Sequence, residues 1–245
     1  MPVSYESFAV AALVVACGYF IFGLSGFGAA IITVPVLSHL WPVQFVLPML
    51  SLLDLAASVA LGVRGSREAV RGELTRMIPF ALAGAALGVT LLVNLPREAA
   101  LASLGTFATL YGIYALLERG GSKPVGRGWA YPAGFTGGAC GALFGIGGPP
   151  YVAYLSRRIQ DKGALRATVA TMIAISVSTR LVLFALVGLL PWEKIVTALA
   201  LLPFAAAGLW AGGHAHGRIS REQLGRAIGV MLIATGISLL VRALS

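Results

Sequence analysis

Apolar segments of about 20 residues recur along this chain, and their length limits its fold more than any other feature. They lie at 43–63, 75–94, 97–118, 168–190, 192–213 and 222–243. Each is long enough to cross a hydrocarbon core about 30 Å thick. Only 11% of the residues are charged, against about 25% in a soluble domain, and the alternation typical of a membrane β-barrel is absent. The sequence predicts an all-α integral membrane protein with about seven to eight or more membrane segments.

The basic residues indicate the orientation of these segments. The formal net charge is +9, and fourteen of the 18 basic residues fall in four short loops. These are Arg64, Arg67, Arg71 and Arg76; Arg119, Lys123 and Arg127; Arg157, Arg158, Lys162 and Arg166; and Arg218, Arg221 and Arg226. The positive-inside rule places such loops in the cytoplasm, so we interpret the charge as orientation on a lipid bilayer and not as nucleic-acid binding. Both termini are then expected outside.

The path between the basic loops requires one segment to begin and end on the same side. Loops 119–130 and 157–166 are both predicted inside, so segment 131–156 must begin and end on the same side, as a re-entrant hairpin or as two short spans. Its turn holds Gly145, Gly147 and Gly148, followed by Pro149 and Pro150. By the same reasoning, residues 5–40 form a first hairpin, which enters from outside. The sequence leaves open whether residues 5–24 cross fully.

The chain also repeats itself. Residues 77–88 match 200–212, with Pro79 aligned to Pro203 at an offset of 124, and GFGAAIITVPVL at 26–37 matches GIGGPPYVAYLS at 145–156 with an offset of 119. We read residues 1–245 as one transporter domain, with repeat 1 at 5–118, a cytoplasmic linker at 119–130 and repeat 2 at 131–243. Each half holds a glycine-rich broken hairpin and three transmembrane helices, so the halves are inverted. Inverted repeats with broken helices are typical of secondary transporters.

The two breaks predict a binding site for an anion. Irregular backbone at membrane depth is tolerated where it lines a cavity or is buried in protein. Each break leaves the N-terminus of a half-helix, 29–40 or 149–156, aimed into the protein, and free N–H groups with a positive dipole end favour an anion. The predicted substrate-binding residues at the two turns are Gly26, Phe27, Gly28, Gly145, Ile146, Gly147 and Gly148. The alternative for the upstream glycines is close helix packing.

Two charged residues lie deep in predicted spans. Asp54 is near the middle of 43–63 and Arg180 near the middle of 168–190. A charge at such depth costs roughly 3 kcal/mol or more and normally has a partner or a wet cavity. One hypothesis is that Arg180 binds the oxyanion, while Asp54 pairs with it in the empty state or takes a coupled proton. The other is a purely structural Asp54–Arg180 ion pair.

The paired glycine-rich hairpins resemble a known transporter family. FGLSGFGAAIITVPVL (22–37) and GGACGALFGIGGPPYVAYL (137–155) are similar to the TauE/SafE family of sulfite and organosulfonate exporters, over essentially the whole chain. The resemblance implies a multi-pass transporter of the bacterial cytoplasmic membrane that moves sulfite, sulfoacetate or taurine-like anions. The family's glycine runs map onto Gly26, Gly28, Gly145, Gly147 and Gly148. Ala29 and Ala30 depart from the usual triple glycine of the first hairpin.

Three other functions are alternatives to a transporter. An anion channel uses similar hairpins, and an assembly subunit would need a docking domain that the sequence lacks. GLSG at 23–26 resembles the motif of rhomboid intramembrane proteases, with Ser25 as nucleophile and His214 or His216 as its partner. We expect no enzyme activity, cofactor or metal site, and we interpret Cys17 and Cys140 as packing residues. The sequence leaves open a coupling proton or sodium ion and a homodimer.

Overall fold

The computed structural model describes residues 5–25, 28–62, 68–117, 125–215 and 221–244. Within these ranges the secondary structure is helical throughout, with no strand. The helices are α1 (Tyr5–Ser25), α2 (Ala29–Leu37), α3 (Val43–Gly62), α4 (Arg71–Asn94), α5 (Arg97–Leu117), α6 (Ala130–Phe144), α7 (Gly148–Leu155), α8 (Lys162–Leu186), α9 (Trp192–His214) and α10 (Arg221–Leu244). A short 3-10 helix, Arg127–Trp129, precedes α6. The prediction of an all-α fold is confirmed.

Five helices in the described part of the chain are long and apolar enough to cross a membrane. Their qualifying segments are Tyr5–Leu24, Val43–Ala60, Arg71–Asn94, Gly163–Leu186 and Trp192–His214, and Gly229–Leu244 is a shorter apolar helix. At 1.5 Å rise per residue, about 20 residues span the hydrocarbon core. The lengths therefore agree with a multi-pass membrane protein.

The described residues form two compact units whose boundaries fall between segments distant in sequence. Unit 1 is drawn from Met1–Leu50, Leu95–Arg119 and Trp192–Ser245, and unit 2 from Ser51–Asn94 and Gly120–Pro191. The division falls within α3, between Leu50 and Ser51. Each unit therefore combines helices from both sequence repeats.

In unit 1, α1 packs along α9 and α5 packs along α10. Glycines allow this close approach, because a side chain at Gly208 would collide with the carbonyl oxygen of Ala16. In the second pair, a methyl group at Gly105 would stand 2.8 Å from the Gly236 carbonyl oxygen. Small residues are the usual contact between membrane helices, since dispersion forces and backbone proximity replace the hydrophobic effect there.

In unit 2, glycines also allow α4 and α6 to approach each other closely. A side chain at Gly84 would collide with the Phe135 carbonyl oxygen, and a methyl group at Gly88 would stand 2.6 Å from that of Ala139. Beside this pair, the side chains of α7 and α8 complete an apolar core that includes Tyr151, Leu155 and Met172. The upstream glycines of the second hairpin thus serve packing.

The break predicted in the second hairpin is present. α6 ends at Phe144 and α7 begins at Gly148, with Pro149 and Pro150 in its first turn. Proline is tolerated there because the first N–H groups of a helix have no intrahelical acceptor. The residues of the turn between these helices carry the candidate site.

Candidate functional site

The second glycine turn closes α6 with a left-handed residue. Gly145 has φ 75° and ψ 0°, a conformation that glycine adopts without steric cost. Its N–H group donates to the Gly141 carbonyl oxygen at 3.0 Å, and the N–H of Ile146 donates to that of Cys140 at 3.2 Å. These bonds supply donors to carbonyl oxygens that the end of a helix leaves without an intrahelical donor. The turn therefore reverses the chain without exposing the carbonyl end of α6.

The N-terminus of α7 follows at once. Gly147 is its N-cap, with φ −85° and ψ −18°, and no side chain caps the helix. A methyl group at Gly147 would stand 2.6 Å from the carbonyl oxygen of Gly137, so the close approach of two backbones requires glycine here. Gly145 and Ile146 donate the turn's hydrogen bonds between described residues, and Gly147 and Gly148 donate none of them. The positive end of α7 thus offers backbone donors.

Arg180 of α8 lies against the last turn of α6. Its side chain is buried, with the residue 3% exposed, and its Nη1 donates to the Gly141 carbonyl oxygen at 2.6 Å. Its Nη2 donates to Oδ2 of Asp54, a residue of α3 that is 7% exposed, at 3.0 Å. The structure therefore brings together the two deep charges and the helix that enters the turn.

One edge of this guanidinium is incompletely paired. Arg180 Nε is buried and has no hydrogen-bond partner among the described residues. A buried donor without an acceptor costs about 1–3 kcal/mol, so such a group normally marks a bound water, a ligand or a functional site. Ser58 lies one helical turn from Asp54, and its Oγ is also buried with no hydrogen-bond partner among the described residues. Unit 2 therefore holds unused polar groups beside the deep ion pair.

A tyrosine and a serine flank the same place, and the sequence prediction did not include either among the site residues. The Tyr151 hydroxyl of α7 donates to Ser176 Oγ of α8 at 3.2 Å, and the Tyr151 ring packs against Gly137. A methyl group at Gly141 would stand 3.4 Å from both Ser176 Oγ and Gly147 Cα. The signal available in the sequence was the spacing of Ser176 and Arg180, which are four residues apart on one helical face.

A second polar cluster fixes the other end of α7. Glu73, in the first turn of α4, is 6% exposed and accepts a hydrogen bond from the Tyr154 hydroxyl at 2.6 Å. Arg158 Nη2 lies 3.5 Å and Arg76 Nη1 3.7 Å from Glu73 Oε1. A buried carboxylate normally needs such partners. This cluster joins α7 to α4, and Tyr151 joins α7 to α8.

The first turn is described in part only. Gly26 and Phe27 lie outside the described residues, so their predicted role is not observed. Gly28 caps α2 with φ 100° and ψ 9°. The side chain of Ser25 and the whole of His216 also lie outside the described part, and His214 Nδ1 lies 2.9 Å from the carbonyl oxygen of Trp210 on its own helix. Nothing described assembles a serine–histidine pair.

The fold and this site define a class of protein: a polytopic helical membrane protein with a broken helix next to a buried charge pair. The model of the sulfite exporter TauE/SafE family matches residues 10–239. The chain belongs to this family of membrane transporters.

Comparison with individual proteins agrees with the family. The chain is 29% identical over 191 residues to a probable inner membrane transporter protein, TsaS, of Comamonas testosteroni, covering 77% of this chain and 80% of that protein. No solved structure matches the chain.

Proposed function

We propose that this protein is a secondary transporter that moves a small sulfur oxyanion or organosulfonate across the cytoplasmic membrane by alternating access. Sulfite, sulfoacetate and taurine-like compounds are the expected substrate class. The family supports transport of a sulfur compound, and the inner-membrane name of the Comamonas testosteroni relative supports the location. The observation that carries the anion site is the buried, unpartnered Nε of Arg180 beside the α6–α7 turn.

The chemistry of this place suits an anion. An oxyanion at the turn would accept hydrogen bonds from the free N–H groups of Gly147 and Gly148 at the positive end of α7. The planar guanidinium of Arg180 offers Nε and Nη2 along one edge, which fits two oxygens of the same head group. Since Asp54 holds Nη2, an arriving anion competes with Asp54 for Arg180. Asp54 is then the group on which a coupling proton acts.

Substitution of Arg180 tests this role against a purely structural pair. Arg180→Lys keeps the positive charge and removes the fork, so the proposal expects a folded protein that has lost anion binding. A structural pair predicts instead lost thermal stability, recovered when Asp54 is also replaced by Asn. Thermal unfolding of the purified protein, with and without sulfite, separates the two. Unchanged sulfite binding by a folded Arg180→Lys protein contradicts the proposed site.

The inverted repeat is part of the same proposal, and the glycine contacts support it. The pairs Gly84–Phe135 in unit 2 and Gly208–Ala16 in unit 1 are related by the sequence offsets 124 and 119. Within unit 1, Gly105 approaches Gly236 and Gly229 approaches Gly112, and an offset of 124 converts one contact into the other. Equivalent helices thus make equivalent contacts, as two inverted halves would.

Orientation is tested with introduced cysteines. The positive-inside rule places residues 67, 123, 162 and 221 in the cytoplasm and both termini outside. The background should lack Cys17, which is exposed, and Cys140. Single cysteines at these positions should react with a membrane-impermeant maleimide only in opened cells. Labelling in intact cells would contradict the orientation.

Flux measurements separate a carrier from an anion channel. A carrier that alternates between two states saturates with substrate and shows counterflow in proteoliposomes. A channel conducts without counterflow. Linear flux with no counterflow would show that the protein is a channel and contradict alternating access. It would not contradict the anion site.

A further inference from the structure

Ser176 differs from the neighbouring hydroxyl residues of α8. The hydroxyl groups of Thr168 and Thr171 donate to the carbonyl oxygens of Ala164 and Ala167, four residues earlier on their own helix. Hydroxyl groups inside a membrane helix usually donate to a backbone carbonyl oxygen one turn earlier in this way. The hydrogen bond recorded for Ser176 instead comes from another helix, since its Oγ accepts from the Tyr151 hydroxyl at 3.2 Å. The Ser176 side chain is therefore held by a neighbouring helix and not by the backbone of α8.

The hydrogen count at Ser176 leaves one donor unused. A serine hydroxyl has one proton and two acceptor positions. Tyr151 takes one acceptor position, and no described residue accepts the Ser176 proton. The Tyr151 ring is itself fixed, because it is fully buried and packs against the backbone of Gly137. Tyr151 thus orients Ser176 without consuming its proton.

Ser176 and Arg180 both lie against Gly141, close to the α6–α7 turn. Ser176 and Arg180 are one turn apart on the same face of α8. Both reach Gly141: a methyl group there would stand 3.4 Å from Ser176 Oγ, and Arg180 Nη1 binds its carbonyl oxygen. Gly141 in turn packs against Gly147, the N-cap of α7. Gly141 is thus bordered by Ser176, by Arg180 and by the turn at Gly147, and each of these carries a donor with no acceptor among the described residues.

We propose that Ser176, oriented by Tyr151, donates a hydrogen bond to the third oxygen of a bound sulfonate or sulfite and so selects trioxygen anions over carboxylates. The proposal rests on the proposed anion site. A pyramidal head group directs its three oxygens out of a common plane, one toward each kind of donor, whereas the two oxygens of a carboxylate lie in one plane and neither is directed at the third donor. A site that hydrogen-bonds its ligand discriminates against an analogue that lacks the partner atom.

The test compares two ligands that differ only in the head group. Methanesulfonate and acetate each carry one methyl group and one negative charge, and their dissociation constants are measured on the purified protein by calorimetry. The wild-type protein should prefer methanesulfonate. Ser176→Ala should weaken methanesulfonate binding about tenfold and leave acetate binding unchanged, since a hydrogen bond to a charged group is being removed. Tyr151→Phe should have the same sign and a smaller effect.

Matched variants control for structural damage. Ser178 is exposed on the same helix, so Ser178→Ala should change neither constant. Ser176→Thr keeps the hydroxyl and should keep the preference for methanesulfonate. Ser176→Cys keeps the size with a much weaker donor, and it serves as the test variant if the alanine protein does not fold.

The outcomes separate this inference from the proposed function. If the wild-type protein binds neither methanesulfonate, sulfite nor acetate, the proposed function fails and the inference fails with it. If the wild-type protein binds methanesulfonate and Ser176→Ala binds it equally well, only the inference is overturned. A loss that is equal for methanesulfonate and acetate also overturns it, because Ser176 would then support the site without selecting its ligand.

Discussion

The short helices α2 and α7 each follow a glycine turn, in different units, and their polar groups have different partners. In α2, the Thr33 hydroxyl donates to Ala29 and that of Ser38, at its C-terminal end, to Val34, so both bond the chain's own backbone. In α7, the Tyr151 and Tyr154 hydroxyls reach α8 and α4.

The caps of the two helices differ as well. Gly28 has φ 100°, whereas Gly147 has φ −85°. Among the described residues, the groups that suit an anion therefore lie in unit 2, beside α7.

The largest expected difference between the units comes from their buried cations. Arg180→Met would remove the cation that pairs with the buried Asp54 carboxylate in unit 2, at a cost of about 3–5 kcal/mol. Lys194 of unit 1 is also buried, but its Nζ donates to a neutral acceptor, the Gln44 carbonyl oxygen, at 2.7 Å. Lys194→Met should therefore cost about 1–3 kcal/mol. Thermal unfolding in detergent measures both, and equal losses would remove this distinction.

Alanine at the two turn glycines should separate binding from folding. Gly147→Ala places a methyl group against the backbone of α6, so the turn must shift, and we expect anion binding to be lost. Gly28→Ala meets only the end of the Ile31 side chain, at 3.2 Å, and its strain at positive φ is about 1–2 kcal/mol. That variant should be less stable but still bind sulfite. Lost binding in both would show that the first turn shares the site.

The packing glycines should behave alike in the two units. Gly84→Ala and Gly208→Ala each drive a methyl group into a carbonyl oxygen of the neighbouring helix, so each should destabilise the protein by about 1–3 kcal/mol. Gly213→Ala is the control because nothing lies near its added methyl group, and it should be neutral or stabilising. A large difference between Gly84→Ala and Gly208→Ala would weaken the case for equivalent halves.

The C-terminal ends of the two short helices offer a smaller contrast. Tyr154→Phe removes the hydrogen bond to the buried Glu73 carboxylate and should cost about 1.5 kcal/mol. Beyond α2, Arg242 Nη1 donates to the His39 carbonyl oxygen at an exposed site. Arg242→Met should therefore cost less than about 1 kcal/mol. Reversal of this order in melting curves would mean that α2 is the more firmly held helix.

The smallest effect concerns pH. Burial, and to a lesser extent the charge of Arg242, lowers the pKa of His39 below its ordinary value of 6.5. The unfolded chain then binds a proton at a higher pH than the folded protein, so stability should fall as pH drops through and below about 6.5. His39→Gln should flatten this part of the profile. If the His39→Gln protein loses stability between pH 7 and pH 5 with the same slope as the wild type, other groups cause this pH dependence.

The membrane class, the helical segments and the helix break at the second glycine turn could all be predicted from the sequence. The length of an apolar segment and a pair of adjacent prolines are properties of contiguous residues, and they act on the conformation of the same residues. Family membership also followed, because the glycine-rich hairpins are contiguous in the chain. The sequence could indicate that Asp54 and Arg180 each need a partner, since a deep charge is costly wherever it lies.

Which polar groups meet depends on the packing of helices that are distant in sequence. Asp54 and Arg180 are 126 residues apart, and nothing in their spacing indicates that Arg180 also binds Gly141 or leaves Nε unused. The pairing of Tyr151 with Ser176 and of Tyr154 with Glu73 depends on how α7 packs between α4 and α8. Hydrogen bonds act over about 3 Å, so their partners are fixed by packing between distant segments and not by the order of residues along the chain.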